Sequence, residues 1–310
     1  MNDLLLWGFS VLAAIFLFLH GLEAFSVEVT RLGGERLRLA LQRITRSDWR
    51  AALVGAAVTA VVQSSSAVTS MVVGLAQKRT LGPRAAVGLM IGANVGTTLT
   101  AWLVAFKIEG LGPVFVTLGG VWSLLGPQRW RPYGKALFYF GLIFLALDLV
   151  AQALAPLAHG QRLAAWQALL QSPVLALLFG TLLTAFVQSS SVVSGFAVVA
   201  ASQSILQPGV AVWIVAGANL GTTSTALLAG AGMGTLARRL SLTNTAFNLL
   251  GVLLFATVLQ PVIAQVMALP LSPARQVAMV HTLFNLSAAV VGLGVMPWLW
   301  PRLQALLLRP

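Results

Sequence analysis

Residues 59–76 read TAVVQSSSAVTSMVVGLA, an apolar run interrupted by four consecutive polar residues, Gln63, Ser64, Ser65 and Ser66. The interruption recurs. Residues 184–201 read TAFVQSSSVVSGFAVVAA, with Gln188, Ser189, Ser190 and Ser191 each 125 positions after its counterpart. A polar cluster written twice at a fixed offset inside apolar sequence marks a binding site or a structural joint.

The surroundings say what kind of chain carries it. Of 310 residues, 58% are hydrophobic and 8% charged, against roughly a quarter charged in an ordinary soluble domain. Apolar runs of about 20 residues, enough to cross a bilayer as a helix, recur from Leu4 to the C-terminal end. No polar block is large enough to form a separate soluble domain. The reading is an all-α integral membrane protein, one membrane domain over residues 1–310. The absence of cysteine excludes disulfides and thiol chemistry. The opening MNDLLLWGF has Asp3 and no basic residue, so it lacks the n-region of a cleaved signal and the first span is expected to stay. The net charge of +12 reflects the collection of Lys and Arg in cytoplasmic loops, and no nucleic-acid partner is expected.

Taken in order, a first span over about residues 4–22 ends near Glu23. A basic segment follows, with Arg31, Arg36, Arg38, Arg43, Arg46 and Arg50 among leucines, a pattern that suits a helix in the headgroup region. After the first QSSS stretch come a basic turn (Lys78, Arg79, Arg84), a helix to about Phe106 carrying GANVGTTLTA at residues 92–101, and a shorter span at about 111–125. The pattern then restarts. A span at 136–155 places Asp148 at the offset of Glu23, residues 161–170 stand where the basic segment stood, and the second QSSS stretch precedes a span at 210–228. That span carries GANLGTTSTA at 217–226, identical to the earlier motif at eight of ten positions. Spans at about 240–259 and 275–300 close the chain.

Basic residues decide whether each QSSS stretch crosses the membrane or dips and returns. If it dips, 16 of the 19 Lys and Arg fall on one face, leaving Lys107, Arg162 and Arg275 on the other. If both stretches cross, the Arg31–Arg50 and Lys78–Arg84 clusters lie on opposite faces, against the positive-inside rule. The dipping arrangement gives three full spans per repeat, an odd number, so repeat 2 (about 134–260) is inverted relative to repeat 1 (about 4–130). The last span, about 275–300, has no counterpart. The expected architecture is an inverted-repeat transporter with two re-entrant helical hairpins and about seven full spans, the N-terminus outside and the C-terminus cytoplasmic.

Within hydrocarbon a non-helical tip survives only when buried in protein or lining a wet cavity. The half-helix that starts at each tip points free N–H groups and roughly half a positive charge inward, which suits an oxyanion. The half-helix that ends there offers unpaired carbonyls, which suit a hard cation such as sodium. Asn94, Thr97 and Thr98, with Asn219, Thr222 and Thr223, add amides and hydroxyls between glycines that allow close helix approach. Packing contacts alone would not need to recur in the order QSSS then GANxGTT at identical spacing. The intramembrane acids Glu23 and Asp148 are functional candidates because a charge there is costly, although both lie near span ends. His281 reads as a hydrogen-bonded helix residue before a proton carrier, and tryptophans such as Trp298 and Trp300 as interfacial anchors. A serine nucleophile needs an adjacent base, and neither QSSS motif carries one, so an enzyme is not expected. The residues by themselves specify a sodium- or proton-coupled transporter of a small anion.

Two QSSS motifs, each followed by GANxGT, with VHTLFN at 280–285 and TAFN at 245–248, resemble the sodium-dependent phosphate cotransporter family (type II, bacterial member), over nearly the whole chain. The resemblance implies sodium-coupled transport of inorganic phosphate across a bacterial-type inner (cytoplasmic) membrane, with Na+ as coupling ion and no organic cofactor. It implies phosphate ligands from Gln63, Ser64, Ser65, Ser66, Gln188, Ser189, Ser190 and Ser191, with Asn94 and Asn219. It implies sodium ligands from Gln63, Ser66, Thr97, Thr98, Gln188, Ser191, Thr222 and Thr223. The chain departs from the family pattern where Trp122 and Ser123 stand at the offset of Phe247 and Asn248, and where Glu109 is the nearest acid after the first GANxGT. Transport of another oxyanion, phosphate export, and a membrane protein that transports nothing are the alternatives; the oligomeric state stays open, a homo-oligomer included.

Overall fold

The computed structural model describes residues 2–42, 47–106, 110–154 and 167–308, and every labelled element in them is an α-helix. In chain order they are α1 (Asn2–Gln42), α2 (Asp48–Val62), α3 (Ser65–Gln77), α4 (Pro83–Ala105), α5 (Leu111–Leu125), α6 (Arg131–Leu154) and α7 (Pro173–Val187). They continue with α8 (Ser190–Ser202), α9 (Pro208–Gly221), α10 (Thr223–Met233), α11 (Thr235–Thr257), α12 (Gln260–Ala268) and α13 (Pro273–Leu307). The outer surface is apolar, with Phe9, Phe16, Leu53, Leu125, Phe186 and Trp298 all exposed. Lipid solvates such a surface and water does not. The molecule is an all-α integral membrane protein.

Six stretches among the described residues are long and apolar enough to cross a bilayer: α1, α4, α6, α9 together with α10, α11 and α13. The seventh expected span, at 111–125, is α5, a helix of 15 residues. At 1.5 Å per residue it extends about 22 Å, short of the roughly 30 Å hydrocarbon core. The first span does not stop near Glu23. α1 runs 41 residues with a kink at Gly34 (φ 39, ψ −125), so Arg31 rides on the same helix as Leu5, Arg36 and Arg38 follow the kink, and Arg50 belongs to α2. Arg43, Arg46, Lys107, Glu109, His159, Arg162 and Arg309 lie outside the described residues, as does most of 161–170. The span expected at 210–228 is divided by a turn at Thr222.

Each QSSS stretch breaks a helix, and the chain then turns back. Asp48, in the first turn of α2, accepts two hydrogen bonds from Arg84, at 2.9 and 2.8 Å from Nε and Nη2. Arg84 lies at the start of α4, directly after the turn that ends α3, so α3 has returned the chain to the level at which α2 began. Gln167 Nε2 donates to the Ile205 carbonyl at 2.7 Å and closes the mouth of α7 and α8 in the same way. With 15 and 13 residues in both cases, neither arm is long enough to cross alone.

Glycines hold each hairpin against the helix that follows. A Cβ on Gly55, Gly92 or Gly96 would collide with the carbonyl oxygen of Leu89, Ala52 or Ala56, and one on Gly180, Gly217 or Gly221 with that of Ile214, Leu177 or Thr181. The 125-residue offset is therefore also a packing repeat. These contacts advance together along both chains, so α2 runs parallel to α4 and α7 parallel to α9.

The two units point in opposite directions. α4 is antiparallel to α13, with Arg84 over the Trp300 ring at 5.5 Å and Trp102 Nε1 donating to Thr282 Oγ1 at 2.8 Å. α13 is antiparallel to α11, through Gly292 beside Phe247 and Phe284 beside Phe255. α11 is antiparallel to α9, through Phe255 against Trp213 and through Asn248 and Gly251 beside Asn219. Three reversals leave α4 and α9 antiparallel. One apolar core surrounds α7, α8 and α9 and a second surrounds α2, α3 and the first half of α4. Arg79, Arg84 and Arg239 gather at the end marked by Trp300 and Leu307, while Arg275 stacks over Phe106 at the opposite end.

Gly92→Ala and Gly217→Ala should each cost about 3 kcal/mol, because backbone rather than a flexible side chain occupies the space. Gly8→Ala, whose Cβ meets nothing within 4 Å, should be neutral or raise stability by about 0.5 kcal/mol. Thermal unfolding in detergent, followed by size-exclusion recovery, separates the three variants.

Candidate functional site

At both tips the turning residue is a glutamine in the left-handed region: Gln63 has φ 59 and ψ 20, Gln188 has φ 61 and ψ 21. That conformation costs a residue with a Cβ about 1–2 kcal/mol, and glycine would take it more cheaply. The glutamine side chain supplies what glycine lacks. Each backbone N–H bonds the carbonyl four residues back, Thr59 and Thr184, at 2.7 Å. Each side-chain Nε2 bonds the next carbonyl along, Ala60 or Ala185. Two of the four carbonyls orphaned at the helix end are thereby satisfied by one residue.

The following serine starts the outgoing helix. Ser64 and Ser189 are extended N-caps. The Ser64 hydroxyl accepts from the Ala67 N–H at 3.2 Å, whereas Ser189 makes no such bond. The first-turn N–H groups of Ser65 and Ser66, and of Ser190 and Ser191, have no helical acceptor. Ser65, Ser190 and Ser191 are buried.

The tips meet. A cavity of about 330 Å³ is lined by Gln63, Ser64, Ser65, Ser66 and Ala67 from the first, by Val187, Gln188, Ser189, Ser190, Ser191 and Val192 from the second, and by Leu19, Leu22, Glu23, Ser26 and Val27 of α1. All eight QSSS residues face one space, together with two helix N-termini and, among the described lining residues, no Lys or Arg. Glu23, exposed to that space, sits there because α1 continues past it. Asp148 is half-buried on α6 and does not line the cavity.

The residues of the GANxGTT motifs lie elsewhere. Asn94 Nδ2 donates to Asn248 Oδ1 at 3.2 Å, and Asn219 Nδ2 donates to Asn285 Oδ1 at 3.0 Å. Asn248 and Asn285 in turn donate to the carbonyls of Asn244 and His281. The four asparagines line a separate space of about 10 Å³. Thr97, Thr98, Thr222 and Thr223 donate to carbonyls of their own helices, those of Ala93, Val95, Ala218 and Leu220. None of these six lines the cavity between the tips.

Reading the sequence missed the residues that hold the tips. Thr100 donates to Gln63 Oε1 at 2.8 Å and lies 3.5 Å from Ser191 Oγ, so it touches both tips. Its counterpart, Thr225, has no partner for its buried hydroxyl; Ser224 takes over, accepting from Gln188 Nε2 at 3.3 Å. Position 99/224 is one of two at which the GANxGTTxTA motifs differ, and that difference was the available signal. Thr59 and Thr184 form another pair: both hydroxyls are fully buried without a hydrogen-bond partner, and their Cβ atoms pack where a Cβ on Gly96 or Gly221 would fall.

Compared with known proteins, the sequence profile described as Na+/Pi-cotransporter matches twice, over residues 17–152 and 149–298. The chain is 30% identical over 89% of its length to "Putative inorganic phosphate export protein YjbB" of Salmonella typhimurium (strain LT2), and 30% over 91% to the Escherichia coli (strain K12) protein of that name. These alignments cover 51% and 52% of the relatives, so the chain spans about half their length. It is 28% identical to YqeW of Bacillus subtilis (strain 168) over 91% of the chain and 92% of the relative. A segment of 58 residues, 19% of the chain and 8% of the relative, is 43% identical to human "Sodium-dependent phosphate transport protein 2B". No solved structure matches.

Thr100→Val, which keeps the side-chain shape and leaves Gln63 Oε1 without its donor, should lower stability by about 1–2 kcal/mol. Ser224→Ala should cost less, since its bond is longer. Melting temperatures of the purified variants test the order.

Proposed function

This chain belongs to the Na+/Pi-cotransporter family, and we propose that it carries inorganic phosphate across the cytoplasmic membrane together with sodium, binding the anion between the two hairpin tips. One observation carries this reading: two helix N-termini whose first two N–H groups have no helical acceptor, and the six serines of the two motifs, line a single cavity with no described Lys or Arg. Free N–H groups and the positive helix end favour an oxyanion. A phosphate dianion held without basic side chains has to bring its neutralising charge with it, and sodium is the coupling ion that the family's description names.

The oxygens suited to sodium lie just behind the tips. Thr59 and Thr184, in the last turns of the two incoming helices, offer buried hydroxyls with no hydrogen-bond partner. The threonines of the GANxGTT motifs spend their hydroxyl protons on their own helices but keep oxygen lone pairs. Asn94 and Asn219 act on this reading as the struts that hold α4 and α9 to α11 and α13, rather than as phosphate ligands.

On this reading each hairpin enters the bilayer from one face and returns to it, and the antiparallel course of α4 and α9 supports mouths on opposite faces. We assign repeat 1 to about 4–130, repeat 2 to about 134–260 and an extra span to about 275–300. The N-terminus is outside and the C-terminus in the cytoplasm, so that the Arg79, Arg84 and Arg239 end is the inner one. Movement of the hairpins with α4 and α9 against α1, α5 and α6 would open the cavity to each side in turn.

Proteoliposomes should accumulate labelled phosphate under a sodium gradient and not in choline, and arsenate should compete where sulfate does not. Equal flux in sodium and choline would contradict sodium coupling. Because the YjbB relatives are named for export, flux is to be measured with the gradient in both directions. Ser65→Ala combined with Ser190→Ala should reduce uptake more than about tenfold, the effect of losing hydrogen bonds to a charged group.

A further inference from the structure

Glu23 is the one ionisable side chain among the described residues lining the cavity, and its charge has the same sign as the proposed substrate. The placement follows from the helix: α1 passes the tips as an unbroken helix, with Leu19, Leu22, Ser26 and Val27 on the same wall. No neighbouring charge among the described residues cancels it. Among the described residues Glu23 has no ion pair, and α3, α7 and α8 carry no ionisable group. On α2 the charges are Asp48 and Arg50, at the end away from the tip. α6 packs along α1 with Ile143 against Gly21, which puts Lys135 and Asp148 about 9 and 10 Å along the helix axes from the level of Glu23. On α1 itself His20 faces Tyr139, Glu28 is buried and Arg31 is two turns further on.

Charge balance then gives the carboxylate a role. The two helix N-termini supply roughly half a positive charge each, about one in all. A phosphate dianion with an ionised Glu23 leaves a deficit of about two charges, and the same site without Glu23 leaves about one. Like charges held in one site repel, and cations that arrive with the anion make up the deficit. We propose that the Glu23 carboxylate holds one of the monovalent cations that must arrive with phosphate, a sodium ion or a proton in its place, so that the anion is repelled until that cation is bound. This rests on the phosphate reading and deepens it: α1, outside both motifs, becomes a coupling element of the site. The dependence is reciprocal, and phosphate tightens the cation by the same factor.

The test is equilibrium binding of labelled phosphate to purified protein, with sodium titrated against choline at several pH values, for wild type, Glu23→Gln and Glu23→Asp. If sodium is the ion held, Glu23→Gln lowers the sodium Hill coefficient by about one and raises phosphate affinity in choline roughly tenfold, by removal of one like charge. Glu23→Asp keeps the wild-type Hill coefficient. If a proton is held, the sodium Hill coefficient is unchanged, but the wild type gains affinity relative to Glu23→Gln as pH falls; that ratio cancels the titration of phosphate itself. A Glu23→Gln protein matching wild type in both sodium order and pH profile overturns the proposal and leaves the phosphate reading standing. A wild type that binds no phosphate under any condition overturns both. Should Glu23→Gln fail to fold, the shorter acid decides: Glu23→Asp with unchanged apparent sodium affinity and pH profile overturns the assignment.

Discussion

A backbone that leaves its helix inside hydrocarbon must find partners for the carbonyls and N–H groups it frees, and the rest of this structure depends on how Gln63 and Gln188 meet that demand. Each turns the chain in the left-handed region and bonds two carbonyls of the helix it ends, one through its backbone N–H and one through its side-chain amide. Half of the carbonyls at the end of the incoming helix are thereby satisfied. The outgoing helix keeps free N–H groups, and these give the cavity its chemistry. A break that satisfied both ends internally would be as stable and would bind nothing.

The tip must also be buried, and the glycine contacts of α2 with α4 and of α7 with α9 accomplish that by bringing backbones together where any Cβ would collide. The same arrangement made twice, with α4 and α9 antiparallel, brings the two tips to one cavity from opposite sides. The tips are nevertheless unequal. Ser64 spends a lone pair on capping its own helix and Ser189 does not; Thr100 restrains Gln63 and Ser224 restrains Gln188. The second tip therefore keeps a serine lone pair that the first has used.

The break at each QSSS was legible because four polar residues in an apolar run leave few structural options, and the turn-back was legible in the placement of Lys78, Arg79 and Arg84. The contacts of the GANxGTT asparagines were not. Their spacing relative to QSSS suggested a shared site, but position along α4 and α9 sets where a side chain lies, and these two meet Asn248 and Asn285, which local spacing does not connect to them. The extent of α1 was also hidden. An acid near the end of an apolar run looks like a span boundary, and only the wall that α1 forms beside the tips shows why Glu23 can sit in mid-helix. α5 is apolar throughout yet stops at 15 residues because Gly126 and Pro127 end it, so composition overstated its reach.

Everything proposed for transport turns on position: the anion sits between two hairpin tips that enter from opposite sides. Arsenate shares the charge and shape of phosphate and can be located by its own anomalous scattering. Crystals grown in sodium with arsenate should show one anomalous peak per chain within hydrogen-bond distance of the first-turn N–H groups and hydroxyls of Ser65, Ser66, Ser190 and Ser191, and no peak there when sodium is replaced by choline. A peak at the asparagine cluster, at the Arg79 and Arg239 end, or at the tips irrespective of sodium would contradict this placement.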